Sequence, residues 1–149
     1  MNDNDENDFT AETQRRREDY FVEPDSDFNE LTHAVIGAAM EIHRELGPGY
    51  LEGVYEHAMC VELALRGIPF VRQRPFPVVY KGQLVGEGRL DLLVREILVV
   101  ELKAVDALLP VHKAQALHYL KALDLPLALL INFKVPILRA GVQRIVRSR

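Results

Sequence analysis

GRLDLLVREILVVELKAV, residues 88–105, holds two apolar, β-branched runs separated by Arg95-Glu96. The pattern predicts two paired strands. Asp91, Glu101 and Lys103 lie inside these otherwise apolar runs. Glu101 and Lys103 are two apart, so they project from one face. Burying a charge without a partner costs several kcal/mol, on the order of the stability of a small domain. Such charges persist where they pair, hold a metal or do chemistry. A cross-strand ion pair is the ordinary structural reading. An Asp on one strand followed by Glu-x-Lys on the next also suits Mg²⁺-dependent phosphodiester hydrolysis. Two carboxylates hold a hard cation through oxygen, and a lysine can stand beside the attacking water or the scissile phosphate.

The loop between the runs bears on this reading. Directly opposed residues on paired strands share a face. A two-residue loop at Arg95-Glu96 would set Asp91 against Val100 and turn Glu101 away. Placing Asp91 opposite Glu101 requires a three-residue loop or a bulge.

Upstream, Asp27-x-x-Glu30 has the form of a capping box. Leu31, Ala34, Val35, Ala38, Ile42 and Leu46 follow at helical spacing, and Gly47-Pro48-Gly49 ends that helix. A second helix is predicted from Leu51 to Arg66, with a stop at Gly67. Ile68 to Arg74 reads as extended. Pro75 and Pro77 bracket a break before Val78-Val79-Tyr80, a pattern that suits an edge strand. Strands are expected at 84–94 and 97–105. Pro110 suits the first turn of a third helix, to Leu123. Leu127–Asn132 reads as a buried strand and Val142–Val146 as a final edge strand. Helices on both sides of the strand block predict an α/β layered domain with a mixed sheet.

At 149 residues, nearly half of them hydrophobic, the chain is one domain with a substantial core. Residues 1–27 carry ten acidic and three basic residues, a net of −7; the rest carries twelve acidic and fifteen basic, a net of +3. The expectation is an acidic, disordered leader over 1–27 and a single domain over 28–149. A mildly basic body is compatible with nucleic acid without proving it. The single Cys60 excludes a disulfide framework and a Cys-rich zinc site. No run reaches the ~20 apolar residues of a membrane span, and the acidic N-terminus is unlike a signal peptide. These features predict a soluble protein of a reducing compartment, the cytoplasm.

Further motifs surround the charged strands. Gly49-Tyr50-Leu51-Glu52-Gly53-Val54-Tyr55 matches G-x-x-E-x-x-Y, and Gln115-x-x-x-Tyr119 precedes the run LLINF at 129–133. With Asp91 and Glu101-x-Lys103, in this order and spacing, residues from Leu31 to Val146 resemble the GxxExxY protein family, a branch of the PD-(D/E)XK nuclease superfamily. The resemblance implies a restriction-endonuclease-like fold, a central mixed sheet flanked by helices. It implies phosphodiester hydrolysis with Mg²⁺ or Mn²⁺, with Asp91, Glu101 and Lys103 catalytic. Asp91, Glu101 and Glu52 would hold the metal, and Gln115 and Tyr119 would hold substrate. His43, in EIHRELGPG, is a further candidate ligand by the same resemblance. The implied partner is nucleic acid, DNA ahead of RNA, and a second copy of the chain is a candidate.

Each motif also has an ordinary structural reading. Glu52 suits the first turn of a helix through the macrodipole, Gln115 and Tyr119 share a helix face, and a histidine near a helix C-terminus is commonly structural. Tyr55 reads as packing. Arg72, Arg74, Arg89, Lys113, Arg139, Arg144, Arg147 and Arg149 are candidates for a phosphate-binding surface. The rival function is a non-catalytic nucleic-acid-binding or assembly protein on the same fold. An intact Asp, Glu and Lys set argues against it.

Overall fold

Apolar residues at 90–94 and 98–102 feed two separate hydrophobic layers. The computed structural model describes residues 26–148. The leader over 1–25 and Arg149 of the basic set lie outside them. Two helices come first, α1 (Ser26–Leu46) and α2 (Glu52–Leu65). β1 (Phe70–Tyr80), β2 (Gln83–Val94) and β3 (Leu98–Lys103) follow, then α3 (Pro110–Leu123), β4 (Leu127–Asn132) and β5 (Val142–Val146). The five strands form one sheet in chain order. β3 and β4 run parallel and every other neighbouring pair is antiparallel. This mixed sheet flanked by helices is the restriction-endonuclease-like α/β architecture. Among the described residues, no helix is long and apolar enough to cross a membrane.

On one face α1 and α2 bury Val35, Ala38, Ile42, Met59 and Leu63 against Leu92, Val94, Val100, Leu129 and Ile131. On the other face Ala116 and Leu120 of α3 pack on Leu90, Leu93, Val99, Ala128 and Leu130. β4 is buried at every position because both its faces are covered. The loop between α1 and α2 turns on Gly47 and Gly49, both at positive φ. The Tyr55 hydroxyl donates to the Gly47 carbonyl at 2.6 Å and accepts from the Tyr50 amide at 3.2 Å. Its ring stacks on Phe133 at 4.4 Å. The tyrosine of the G-x-x-E-x-x-Y motif is therefore a packing residue that anchors the loop before α2.

Two expectations need correction. Pro75 and Pro77 do not break the chain into two extended pieces. β1 runs through both, pairing them with Arg89 and Glu87. An edge strand tolerates proline because the missing N–H can face away from its one partner. The first helix starts at Ser26, so Asp27 sits within its first turn instead of capping it. There its carboxylate still faces the positive end of the helix.

Candidate active site

β2 turns into β3 through Arg95-Glu96-Ile97, a three-residue loop closed by the Val94–Leu98 pair. Arg95 and Glu96 both take positive φ. The register that follows, Leu92 with Val100 and Leu93 with Val99, sets Asp91 opposite Glu101. The side chains take over from the backbone ladder at this point. The Asp91 amide donates to Glu101 Oε1 at 2.8 Å, and the Leu102 amide donates to Asp91 Oδ2 at 2.8 Å. Each strand thus caps the other with a carboxylate. Among the described residues, the second oxygen of each carboxylate accepts no hydrogen bond from protein.

Two carboxylates side by side in this setting resist ionisation. Burial pushes Glu101 up to about 8, and the Asp91 charge adds to the effect. Burial pushes Asp91 up to about 6, against the Leu102 amide, which favours its charged form. The charges of Glu52 and Glu56 raise Asp91 further, and Lys103 opposes them. Lys103 follows Glu101 on the same face of β3 and is half-buried. It forms no salt bridge with a described residue.

Glu52 opens α2 and is half-buried. Its charge is felt by Asp91, by Glu101 and by Tyr119. Tyr119 stands on α3, its hydroxyl pushed up to about 12 by burial and then by Glu101, Asp91 and Glu52. The phenol therefore stays protonated and able to donate. Gln115 lies on the same helix, exposed, and lines with Tyr119 a groove of about 640 Å³. The facing wall is β1, from Phe76 to Val79. Phe76 packs against Tyr119 with ring centroids 4.9 Å apart.

Other candidates lie elsewhere. His43 Nε2 is 2.8 Å from the Val135 carbonyl, which ties α1 to the turn after β4. Five arginines of the candidate phosphate surface are engaged within the protein. Arg72 pairs with Glu56, Arg74 with Glu96 and Arg89 with Glu87. Arg144 bonds Asn29, and Arg147 pairs with Asp124 at the end of α3.

A family model described as the PD-(D/E)XK nuclease superfamily matches residues 29–145. The chain belongs to the PD-(D/E)XK nuclease superfamily. No curated protein and no solved structure matches it.

Members of the PD-(D/E)XK superfamily typically use a divalent metal, and the donor chemistry here fits one. Asp91 and Glu101 offer hard oxygen ligands, each with an oxygen not committed to protein. Burial first, and neighbouring negative charge after it, raises their proton affinity, and a bound cation would offset both. Among the described residues no three His, Cys, Asp or Glu side chains form a ready metal cluster. Glu52 acts on the pair through its field.

Two residues beside this candidate site escaped sequence reasoning, Glu56 and Gln73. Glu56 is 8% exposed and accepts from Arg72 Nε at 3.1 Å, from Arg72 Nη2 at 2.8 Å, and from the Gln73 amide. The available signal was helical spacing. Glu52 and Glu56 are four apart and share one face of α2.

Proposed function

We propose that this protein is a metal-dependent nuclease that hydrolyses phosphodiester bonds of nucleic acid, within the GxxExxY branch of the superfamily. The observation that carries the reading is the Asp91–Glu101 pair. A buried Glu101 and a half-buried Asp91 stand side by side, clipped by each other's strand, with Lys103 next on the same face. Such a pair weakens the fold unless a cation or a proton joins it. Its presence beside a lysine that is tied to no described carboxylate favours chemistry over architecture.

Asp91 and Glu101 would hold Mg²⁺ or Mn²⁺, and Glu52, whose charge already reaches both, would close in as a third donor when the ion binds. When bound, such an ion supplies Lewis acidity toward water and phosphate. Lys103 would stabilise charge building at phosphorus or orient the attacking water. Gln115 and Tyr119 would position the substrate strand through hydrogen bonds and stacking. The family resemblance favours DNA over RNA. His43 stays outside this assignment because its Nε2 is engaged by Val135.

The test is cleavage of end-labelled DNA and RNA with Mg²⁺ or Mn²⁺, comparing the native protein with Lys103→Ala. Metal-dependent cleavage that vanishes in the variant is the expected result. Nucleic-acid binding without cleavage under any metal would favour the non-catalytic reading.

A further inference from the structure

β2 changes phase at Asp91. In a regular strand Leu90, Leu92 and Val94 would share a face. Leu92 and Val94 pack under α1 and α2, whereas Leu90 packs under α3. The turnover therefore falls between Leu90 and Leu92, at Asp91. The partner strand carries its cause. Gln73 lies between the paired positions Arg72–Leu92 and Arg74–Leu90, so it faces Asp91 across the ladder. Its φ is 55°, the left-handed region that glutamine rarely adopts. Such a residue rotates the strand locally and has to be held by its surroundings.

The holder is Glu56. One carboxylate oxygen takes both Arg72 bonds and the other takes the Gln73 side-chain amide. Two successive β1 side chains are thus bound by one buried helical carboxylate. Arg72 offsets the charge that makes burial of Glu56 costly. Glu56 is near enough for its charge to act on Asp91.

We infer that Glu56 is a positioning residue that holds Gln73 in its left-handed conformation, and through that kink sets Asp91 against Glu101. The inference deepens the nuclease reading, since the pair it aligns is the proposed metal-holding pair. Glu52 and Glu56 then divide the labour of one helix face. Glu52 directs its charge at the site, and Glu56 shapes the strand beneath it.

The experiment follows amide hydrogen exchange by NMR in the full chain, at Asp91 and Leu102, whose amides donate to the two carboxylates. Gln73→Val should resist the left-handed conformation because valine is β-branched, and Glu56→Ala removes the holder. Both should speed exchange at Asp91 and Leu102 about tenfold, the loss of one hydrogen bond's worth of protection. Leu129 and Leu130 in β4 should keep their rates. Glycine adopts positive φ without strain, so Gln73→Gly should behave as native, and Glu56→Ala with Gln73→Gly should recover protection. Unchanged exchange in Gln73→Val, equal acceleration at Leu129 and Leu130, or no recovery in the double variant would overturn the inference. A Mn²⁺ titration of the same samples separates the two ideas. A native protein that takes up no Mn²⁺ sinks the nuclease reading, while the amides still decide the latch.

Discussion

Asp91 and Glu101 each accept an amide from the other's strand, at 2.8 Å in both directions. The arrangement sacrifices ladder regularity to hold two acids together. Replacing Glu101 with glutamine keeps an oxygen for the Asp91 amide and removes one charge. Glu101→Gln should therefore melt at a higher temperature than the native protein at about pH 8, where the native pair repels itself. It should also lose most of the thermal shift produced by Mn²⁺. Differential scanning fluorimetry with and without Mn²⁺ reads both effects.

Stability without metal should fall as pH rises. Asp91 moves from 3.8 to about 6 and Glu101 from 4.5 to about 8 on folding, so the folded state binds their protons more tightly. Protonation therefore favours the fold, and that contribution is lost as pH rises through the folded values. It is fully present below the unfolded values and gone above about pH 8. Thermal melts from about pH 5 to about pH 8 should decline in the native protein and decline less in Glu101→Gln, where the remaining fall belongs to Asp91 at about pH 6. A saturating divalent cation should restore stability chiefly at the alkaline end, where it replaces the lost protons. A flat native profile would mean that neither burial nor neighbouring charge raises the proton affinity of the pair.

Lys103→Ala should cost activity and spare the fold. A protonated lysine cannot ligate a cation, so its contribution falls on the chemical step. A loss of ~10²–10³-fold in rate is expected for one electrostatic contact at a transition state. Lys103 lowers the proton affinity of both carboxylates, so the variant should bind Mn²⁺ as well as the native protein or better. Calorimetry beside a cleavage assay checks this. Weaker Mn²⁺ binding in Lys103→Ala would reassign the lysine to shaping the site.

Tyr55→Phe should keep activity and lose stability. The substitution removes the bond to the Gly47 carbonyl and strands the Tyr50 amide, while the stack on Phe133 remains. The expected cost is about 1–2 kcal/mol by denaturant titration. Abolished cleavage in a folded Tyr55→Phe protein would give the hydroxyl a chemical part that its contacts do not suggest.

Gly88→Ala should disturb the groove from below. A Cβ at Gly88 would lie 2.0 Å from Phe76 Cζ, so the ring must move. Phe76 in turn supports Tyr119 at 4.9 Å. Overpacking of this kind costs about 1–3 kcal/mol. Gly88→Ala combined with Phe76→Leu should recover much of it in thermal melts. A Gly88→Ala protein as stable as the native one would show that the ring has free space to move.

The layers and the hairpin were legible in the sequence for a simple reason. Period-two apolar runs define a strand's faces, and of the two devices expected, a three-residue loop or a bulge, the loop brings Asp91 and Glu101 together. Glu52, Gln115 and Tyr119 were legible through motif spacing. Glu56 and Gln73 were not. A glutamine at positive φ leaves no trace in propensity, and a buried glutamate on an amphipathic helix looks like any other polar residue until its partners are placed. The partners of the arginines were equally illegible. Charge counts carry no direction, and Arg72, Arg74 and Arg89 spend theirs on Glu56, Glu96 and Glu87. The prolines of β1 were read as a break because their effect depends on which edge they face.

Those prolines have a further consequence. β1 is an outer strand of the sheet, and Pro75 and Pro77 are in register with β2. Lacking N–H groups, they leave two gaps in the row of donors along the free margin. Gln73, two residues earlier, twists that margin out of plane. A visiting strand would find neither a continuous row of donors nor a flat template. The long outer strand is thus protected from recruiting a neighbour into extended sheets or fibrils, the hazard that an open margin of this length carries.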